Sequence, residues 1–554
     1  MRSAFNVIAL SSASVSSAPA LPNILFYMAD DTGWNNVEWH NKEGEDSGMH
    51  TPHAHALLKE GIELDRHYTF PVCSPTRSSF MSGRYPYRVQ QYNLKNCDLA
   101  QGVPRNMTTI PQKLKLASTP YATVHIGKWH LGMASAGLTP SGRGFDKSLT
   151  YFEGAQDHFT QRTCVDFACL SPINDTTVYP PDPSKPSPYD FWLDDGTAAG
   201  AGSLGVGVPA KHLVETAFNG YLFNDFAVQA VKYHNLSTPL FMYLAPASAH
   251  SPLEAPQRFI DMYPEDWYVD RRLYAAECSV WDEILGNVTA AMKTRPGMWD
   301  NTLLVFSSDN GGPVYWSMAD WFGGGGANNW PLKGGKASPW EGGVRAAAFV
   351  SGGLIPPAQR GTKLEDKIHI ADWYSTFSRL AGVDPTDQKA AAAGLPPIDS
   401  LDMWPLLSGA TATGPRSVVP ISINVSSVGP TSYSALISDN WKLVVGRLIP
   451  MSFHQGPQFP NASNIPYGQI TNKSNLQECV FLGPLGGGCL YNLATDPNEL
   501  ENVAKENLDI VKKMHAMIED MAKHAYGVPS DESQAGACNA MVAANGNFFG
   551  PWLP

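Results

Sequence analysis

The chain has 554 residues, 43% hydrophobic and 16% charged, with a net charge of −12. That composition excludes a disordered or coiled-coil chain, and the charge argues against a broad basic face for a polyanion. The length is enough for a large core and more than one domain, while 44 prolines and 49 glycines require many loops.

Residues 1–20, MRSAFNVIALSSASVSSAPA, combine an early arginine, a short apolar run and an Ala-Pro-Ala ending, the pattern of a secretory signal. The run NILFYMA (23–29) then reads as a buried strand ending at Asp30 and Asp31. Cys73-Ser74-Pro75-Thr76-Arg77 follows, then the amphipathic TIPQKLKLAS and a second strand, YATVHIG (121–127), that runs into Lys128-Trp129-His130. A Pro-, Gly- and Asp-rich stretch, 154–215, reads as an insertion at the rim of a binding site. FNDFAVQAVKYHN is helical, and the strand PLFMYLA (239–245) precedes Ser248-Ala249-His250. After the helix RRLYAAECSVWDEILGNV, the strand NTLLVFS (301–307) leads to Asp309 and Asn310. Lys333 and Lys336 lie in a loop after the glycine run 323–326, and IHIADWYSTFSRLAGV (368–383) reads as a helix.

Strands alternating with helices imply an α/β unit, a large and mostly parallel sheet covered by helices on both faces. In such sheets ligands gather at the carboxyl ends of the strands. Beyond the Gly/Pro/Ala-rich stretch near 385–400 the texture changes. SYSALISDNWKLVVGR and CLYNLATDPNELENVA look like antiparallel strands, and ENLDIVKKMHAMIEDMAKHA is a strong amphipathic helix. We therefore expect a catalytic domain over 21–410 and a smaller α+β domain over 411–554.

Seven N-x-S/T sequons, at Asn106, Asn174, Asn235, Asn287, Asn424, Asn461 and Asn472, join the leader in favouring the secretory pathway, with an extracellular or lysosomal destination. No later stretch reaches 18 uninterrupted apolar residues, so no membrane span is expected. Of eight cysteines, Cys73 lies in its own motif and Cys278 in a helix. Six cysteines allow fifteen pairings; easy loop closure suggests Cys164–Cys169 and Cys479–Cys489, leaving Cys97–Cys538.

Asp30, Asp31, Asp309 and Asn310 make an all-oxygen set, suited to Ca²⁺ or Mg²⁺ rather than zinc. The same residue types also cap helices and turns. Cys73 as a plain thiol is a buried spacer or a nucleophile. Lys128 and His130 alternate along extended backbone and so share a side, either as surface decoration or as charge beside a metal pocket. A lone histidine such as His250 and a lysine such as Lys336 in a Gly-rich loop are by themselves ordinary structural or solvated groups.

Taken together, the order DD, C-x-P-x-R, GKWHLG, a histidine after a strand, DNGG and a lysine in a Gly-rich loop resembles the formylglycine-dependent type I sulfatases. The resemblance continues through WPLKGGKASPWEGGVR, IADWYSTF, LYNLATDPNELENV and FFGPWLP, covers nearly the whole chain, and is strongest to arylsulfatase B, the N-acetylgalactosamine-4-sulfatase, and its near relatives. It implies an alkaline-phosphatase-like sheet, one Ca²⁺ held by Asp30, Asp31, Asp309, Asn310 and the residue at Cys73, and oxidation of Cys73 to formylglycine by the formylglycine-generating enzyme. Pro75 and Arg77 are in register with the family motif, whereas Thr76 stands where relatives often carry serine. The resemblance further implies attack on sulfur by the hydrated aldehyde, a geminal diol, followed by elimination of sulfate. Arg77, Lys128 and Lys336 are then the positive groups around the sulfate. His250 or Lys336 protonates the departing oxygen, and His130 assists removal of the second hydroxyl proton. The expected partner is a sulfated carbohydrate or aryl sulfate, with GalNAc-4-sulfate as the first guess and no nucleic acid; the oligomeric state stays open. Two rivals are a phosphatase or phosphodiesterase of the same wider fold, which usually has a Ser or Thr nucleophile and two zinc ions, and a non-catalytic sulfate-binding protein.

Overall fold

The computed structural model describes residues 21–41, 48–91, 102–163, 187–196, 207–314, 325–423, 433–449, 452–457, 477–480, 487–526 and 537–553. The signal-like leader, Cys97, Cys164 and Cys169 lie outside these residues, as does the side chain of Cys538. The pairings Cys97–Cys538 and Cys164–Cys169 therefore fall outside the described residues. Cys479 and Cys489 form a disulfide, and Cys73 and Cys278 are free and buried.

Ten strands form the main sheet: β1 (Asn23–Ala29), β2 (Ile62–Tyr68), β3 (Ala122–Lys128), β4 (Lys147–Tyr151), β5 (Trp192–Asp194), β6 (Val208–Pro209), β7 (Leu240–Ala245), β8 (Thr302–Ser308), β9 (Ala348–Ser351) and β10 (Thr362–His369). Their order is β10-β2-β9-β8-β1-β7-β3-β4-β5-β6. The four apolar runs singled out in the sequence are its contiguous centre, β8-β1-β7-β3, and all are parallel. The antiparallel pairings are those of β9, between β8 and β2, and of the short β5 with β4 and β6 at one edge, so β9 and β5 run against the other strands.

A strand buried on both faces needs apolar side chains at every position. In β1, Ile24, Phe26 and Met28 enter one core while Leu25, Tyr27 and Ala29 enter the other. β7 divides in the same way, with Phe241 and Tyr243 against Met242 and Leu244. The helices Cys73–Ser82, Ile110–Leu114 and Asp372–Leu380 cover the first face through Phe80, Leu114 and Phe377. Pro52–Lys59, Asn219–Lys232 and Val269–Lys293 cover the second through Leu57, Phe223 and Trp281. Each such side chain contributes about 1.5–3 kcal/mol of transfer free energy on burial.

The second sheet comprises β11 (Val418–Ser422), β12 (Tyr433–Ser438), β13 (Trp441–Ile449), β14 (Gln477–Cys479) and β15 (Cys489–Asn492), all pairings antiparallel. Leu436, Leu443 and Leu490 pack on the helix Leu508–Lys523. The opposite face, with Ile437 and Val444, packs on Tyr68, Trp340 and Val344 of the first body. At that junction Lys442 is wholly buried between Glu341 at 2.9 Å and Glu499 at 2.8 Å. Residues 537–553 return to the first body, where Met541 and Phe549 join its core. Among the described residues no helix is long and apolar enough to cross a membrane.

Candidate active site

Four adjacent parallel strands deliver side chains to one edge of the sheet. β1 hands on Asp30 and Asp31, β8 hands on Asp309 and Asn310, β3 ends on Lys128, and β7 leads to His250. The register Ala29↔Ser308, continued by the Asp309 N–H bond to the Ala29 carbonyl at 3.1 Å, sets Asp30 beside Asp309. Between β3 and β7 the chains approach so closely that a Cβ on Gly127, at φ 95°, would lie 1.9 Å from the Ala245 carbonyl oxygen. Only glycine fits there. Asp31 and His130 adopt φ of 58° and 50°, a left-handed conformation that costs an ordinary residue roughly 1–2 kcal/mol. The turn at Asp31 lets its N–H reach Asp309 Oδ1 at 3.2 Å.

Cys73 opens the helix Cys73–Ser82, directly after extended Val72. Pro75 is tolerated because N–H groups in a first helical turn have no partner within the helix. Thr76 accepts the Phe70 N–H at 2.9 Å, tying down the approach to the helix. Arg77 lies one turn after Cys73 and so on the same face. Its Nε and Nη2 bind Asp309 Oδ2 at 3.2 and 2.8 Å, and its Nη1 binds the Lys128 carbonyl and the Tyr243 hydroxyl at 3.1 and 3.3 Å.

Lys128 Nζ is 2.7 Å from Asp30 Oδ2 and Lys336 Nζ is 2.6 Å from Asp31 Oδ2. All of these groups are buried. Three carboxylates thus face three fixed cations, Arg77, Lys128 and Lys336, and the cluster is close to neutral. A dication added to it would leave a net positive pocket inside a chain of charge −12, the local field an anionic substrate requires.

Among the described residues, the His, Cys, Asp and Glu ligand atoms that lie within 4.8 Å of one another belong to Asp30, Asp31, Cys73 and His250. Two buried oxygens here have no hydrogen-bond partner, Asp30 Oδ1 and Asn310 Oδ1. The Asn310 amide nitrogen is committed to Asp31 Oδ1 at 2.7 Å and to the Gly311 carbonyl at 3.0 Å, which leaves its oxygen as the open end. Orphaned hard oxygens beside carboxylates fit a calcium-type cation. Asp309 is not in that close group; one of its oxygens receives Arg77 and the other the Asp31 N–H.

Burial, followed by the nearby Lys336 and Lys128 charges, holds the His250 imidazole well below its usual pKa. Its Nδ1–H donates to the Ser251 carbonyl at 2.7 Å, so the Nε2 lone pair is turned to the site, 3.7 Å from Asp31 Oδ2. Burial outweighs the same two lysines at Cys73 and pushes its thiol up to about 12, so the unmodified side chain is a neutral thiol rather than a thiolate. Burial, then the Asp30 charge, raises the Asp309 carboxyl. Against the effect of burial, Asp31 holds the Lys336 ammonium above its ordinary range. His130 is buried and near enough for its charge to count among those lowering His250.

Every residue proposed from sequence thus falls in or against one cluster. Sequence reasoning passed over Tyr243, whose only signal is a hydroxyl within an otherwise apolar central strand, and Asn329, half of an Asn-Asn pair after the glycine run. It also passed over His158, whose Nε2 lies 3.2 Å from the His250 carbonyl.

Mouse (Mus musculus) arylsulfatase J is 29% identical over 559 residues, covering 96% of this chain and 80% of the mouse protein. Pig (Sus scrofa) N-acetylgalactosamine-6-sulfatase is 25% identical over 558 residues, 97% of this chain and 92% of its own. The crystal structure of Ps i-CgsB in complex with k-i-k-neocarrahexaose matches with a TM-score of 0.68 at 25% identity, over 94% of this chain and 97% of that one. The sulfatase family model matches residues 22–383, and with the cluster around Cys73 this shows that the chain belongs to the sulfatase family.

Proposed function

We propose that this sulfatase hydrolyses the sulfate ester of a sugar in a glycosaminoglycan or other polysaccharide, with formylglycine at position 73 and one bound calcium ion. The observation that carries the reading is the buried set of Arg77, Lys128 and Lys336 converging with three aspartates on Cys73. The sugar class is supported by the relatives, one being an N-acetylgalactosamine-6-sulfatase and another a structure holding a neocarrahexaose. GalNAc-4-sulfate is the first substrate to try. We take residues 21–410 as the catalytic domain and 411–554 as the smaller one. Exposed sequons at Asn106, Asn235 and Asn287 support a secreted or lysosomal protein.

Calcium would be held by Asp30, Asp31, Asp309 and Asn310 together with the residue at 73, and would supply Lewis acidity toward a sulfate oxygen. His250 Nε2 is a softer donor than this ion prefers and is better assigned to the substrate. Formylglycine would supply two hydroxyls on one carbon, one to attack sulfur and one to expel sulfate. Arg77 orients Asp309 and Tyr243 beneath the site. Lys128 and Lys336 point fixed charge at the sulfate oxygens, where negative charge must be stabilised. Of the two groups weighed for protonating the departing oxygen, Lys336 carries the proton, at Nζ, whereas neutral His250 offers a lone pair. His130, close to His250, takes a proton in the second step.

The test is the mass of the tryptic peptide HYTFPVCSPTR (67–77) from a secretory host, joined to turnover of an aryl sulfate and of 4- and 6-sulfated GalNAc. Aldehyde mass at position 73 with sugar desulfation is expected. An unmodified cysteine, from a host that converts a control sulfatase, would refute the formylglycine reading.

A further inference from the structure

Asn329 is buried and uses all four hydrogen-bonding positions of its amide. Its Oδ1 accepts the Trp34 N–H at 3.2 Å and the Gly312 N–H at 3.0 Å, while its Nδ2 donates to the Gly312 and Gly334 carbonyls at 3.0 and 3.2 Å. One partner, Trp34, lies on the loop that leaves β1 behind Asp30 and Asp31. The other two lie on the stretch between β8 and the helix Glu341–Val344, Gly312 just behind Asp309 and Asn310 and Gly334 just before Lys336. The Gly312 carbonyl also accepts the Lys336 N–H at 3.1 Å, so the lysine backbone and the Asn329 amide share one anchor. A Cβ on Gly335 would stand 2.6 Å from that carbonyl and 2.9 Å from Asn329 Nδ2, so the loops meet at glycine distance.

Asn329 is itself held from the C-terminal side of the chain. Gln455 Oε1 accepts the Asn329 N–H at 2.6 Å and Gln455 Nε2 donates to the Ala327 carbonyl at 3.0 Å, so its amide acts as a strand partner for this segment. The Gly334 N–H bonds the Phe453 carbonyl at 2.9 Å, two residues away from Gln455.

We propose that Asn329 is a positioning residue of the active site, fixing the Asp31–Lys336 pair and the Asp309–Asn310 turn relative to each other, and that Gln455 is how the second sheet's half of the chain maintains it. Neither side chain touches the reacting groups; both act through the loops that do. The proposal rests on reading Asp30, Asp31, Asn310 and Lys336 as the site. A saturated amide suits the task because it supplies two donors and two acceptors in one plane. Aspartate at 329 would keep the two accepted bonds and turn a carboxylate oxygen toward two carbonyls.

Asn329→Asp and Gln455→Glu are compared with the parent protein and with Lys128→Ala. The readouts are kcat and KM on an aryl sulfate well below each melting temperature, and calcium affinity from the rise of melting temperature with added calcium alone. Supporting residues of this kind are worth about 10–100-fold. Asn329→Asp is expected to lose about 100-fold in kcat with little change in KM, and to weaken calcium by at least about tenfold. Gln455→Glu is expected to move both in the same direction by about tenfold, and it carries the test if Asn329→Asp does not fold. A lower melting temperature with parental kcat and calcium affinity would make the contacts purely structural and overturn the proposal. Should Lys128→Ala keep its activity, the reading of the site fails and the proposal falls with it. An inactive Lys128→Ala beside parental Asn329→Asp and Gln455→Glu overturns the positioning role alone.

Discussion

Replacing Lys128 by alanine removes an ammonium that is buried 2.7 Å from Asp30 Oδ2. The nearest remaining cation to that oxygen is Arg77, at 3.5 Å and already bonded to Asp309 at 2.8 Å. Two costs follow and can be separated. Leaving a buried carboxylate short of its partner lowers stability by about 3–5 kcal/mol. In catalysis, the loss of one fixed positive group facing developing charge raises the barrier by about 2.7–4 kcal/mol. At about 1.36 kcal/mol per decade that is a fall of about 10²–10³ in kcat. The assay is steady-state hydrolysis of an aryl sulfate at saturating calcium, at a temperature where thermal melting shows the variant folded. A kcat within about threefold of the parent would remove Lys128 from the transition state and refute the electrostatic argument.

Cys73→Ser should bind substrate and release about one equivalent of alcohol before stalling, because one hydroxyl cannot expel the sulfate that two on one carbon can; steady turnover near that of the parent would contradict it. Lys336→Ala should lose activity more severely on sugar sulfates than on an activated aryl sulfate, whose leaving group hardly needs the proton. Equal losses on both would remove Lys336 as the donor. Glu254→Gln tests linkage between pH and stability. Burial first, then the Asp157 charge, raises the Glu254 carboxyl to about 7, with the His158 N–H bond opposing and Glu277 packed alongside. A carboxyl that holds its proton more tightly folded than unfolded contributes its full stabilisation below pH 4.5 and loses it as pH rises through about 7. The parent should therefore melt progressively lower across that interval and the glutamine variant less so. Parallel melting curves for the two would remove Glu254 as the source.

The four central strands were legible because burial on both faces makes them nearly continuous apolar runs, with few polar positions such as Thr123 and His125 in β3, and each observed strand starts within one residue of its expected start. β2 and β10, IELDRHY and TKLEDKIH, carry charges because they sit toward a partly exposed edge, and nothing in their pattern announced them. The expected helix 368–383 begins only at Asp372, since His369 still belongs to β10. Site residues at strand ends were readable for the same reason as the strands. The His250 tautomer is set by a neighbouring backbone carbonyl and the Asn329 clasp by loops far apart in the chain, and neither has a local signature. Lys336 meets Asp31 across 305 positions, a pairing that only the folded sheet creates.

The burial of Cys73 sets a clock. Its side chain is 1% exposed, at the head of a helix with Arg77 locked beneath it and Lys336 across from it. No macromolecular catalyst can reach the sulfur once the loops that leave β1 and β8 have closed on it. Any enzymatic change at this position has to happen on the unfolded chain, between emergence of residue 77 and closure of the sheet. If activity requires formylglycine at position 73, as proposed above, the yield of active protein becomes a ratio of two rates, that of modification and that of folding. On that reading, conditions that hasten folding would produce well-folded but inactive molecules that share the fold of the active ones and differ at residue 73.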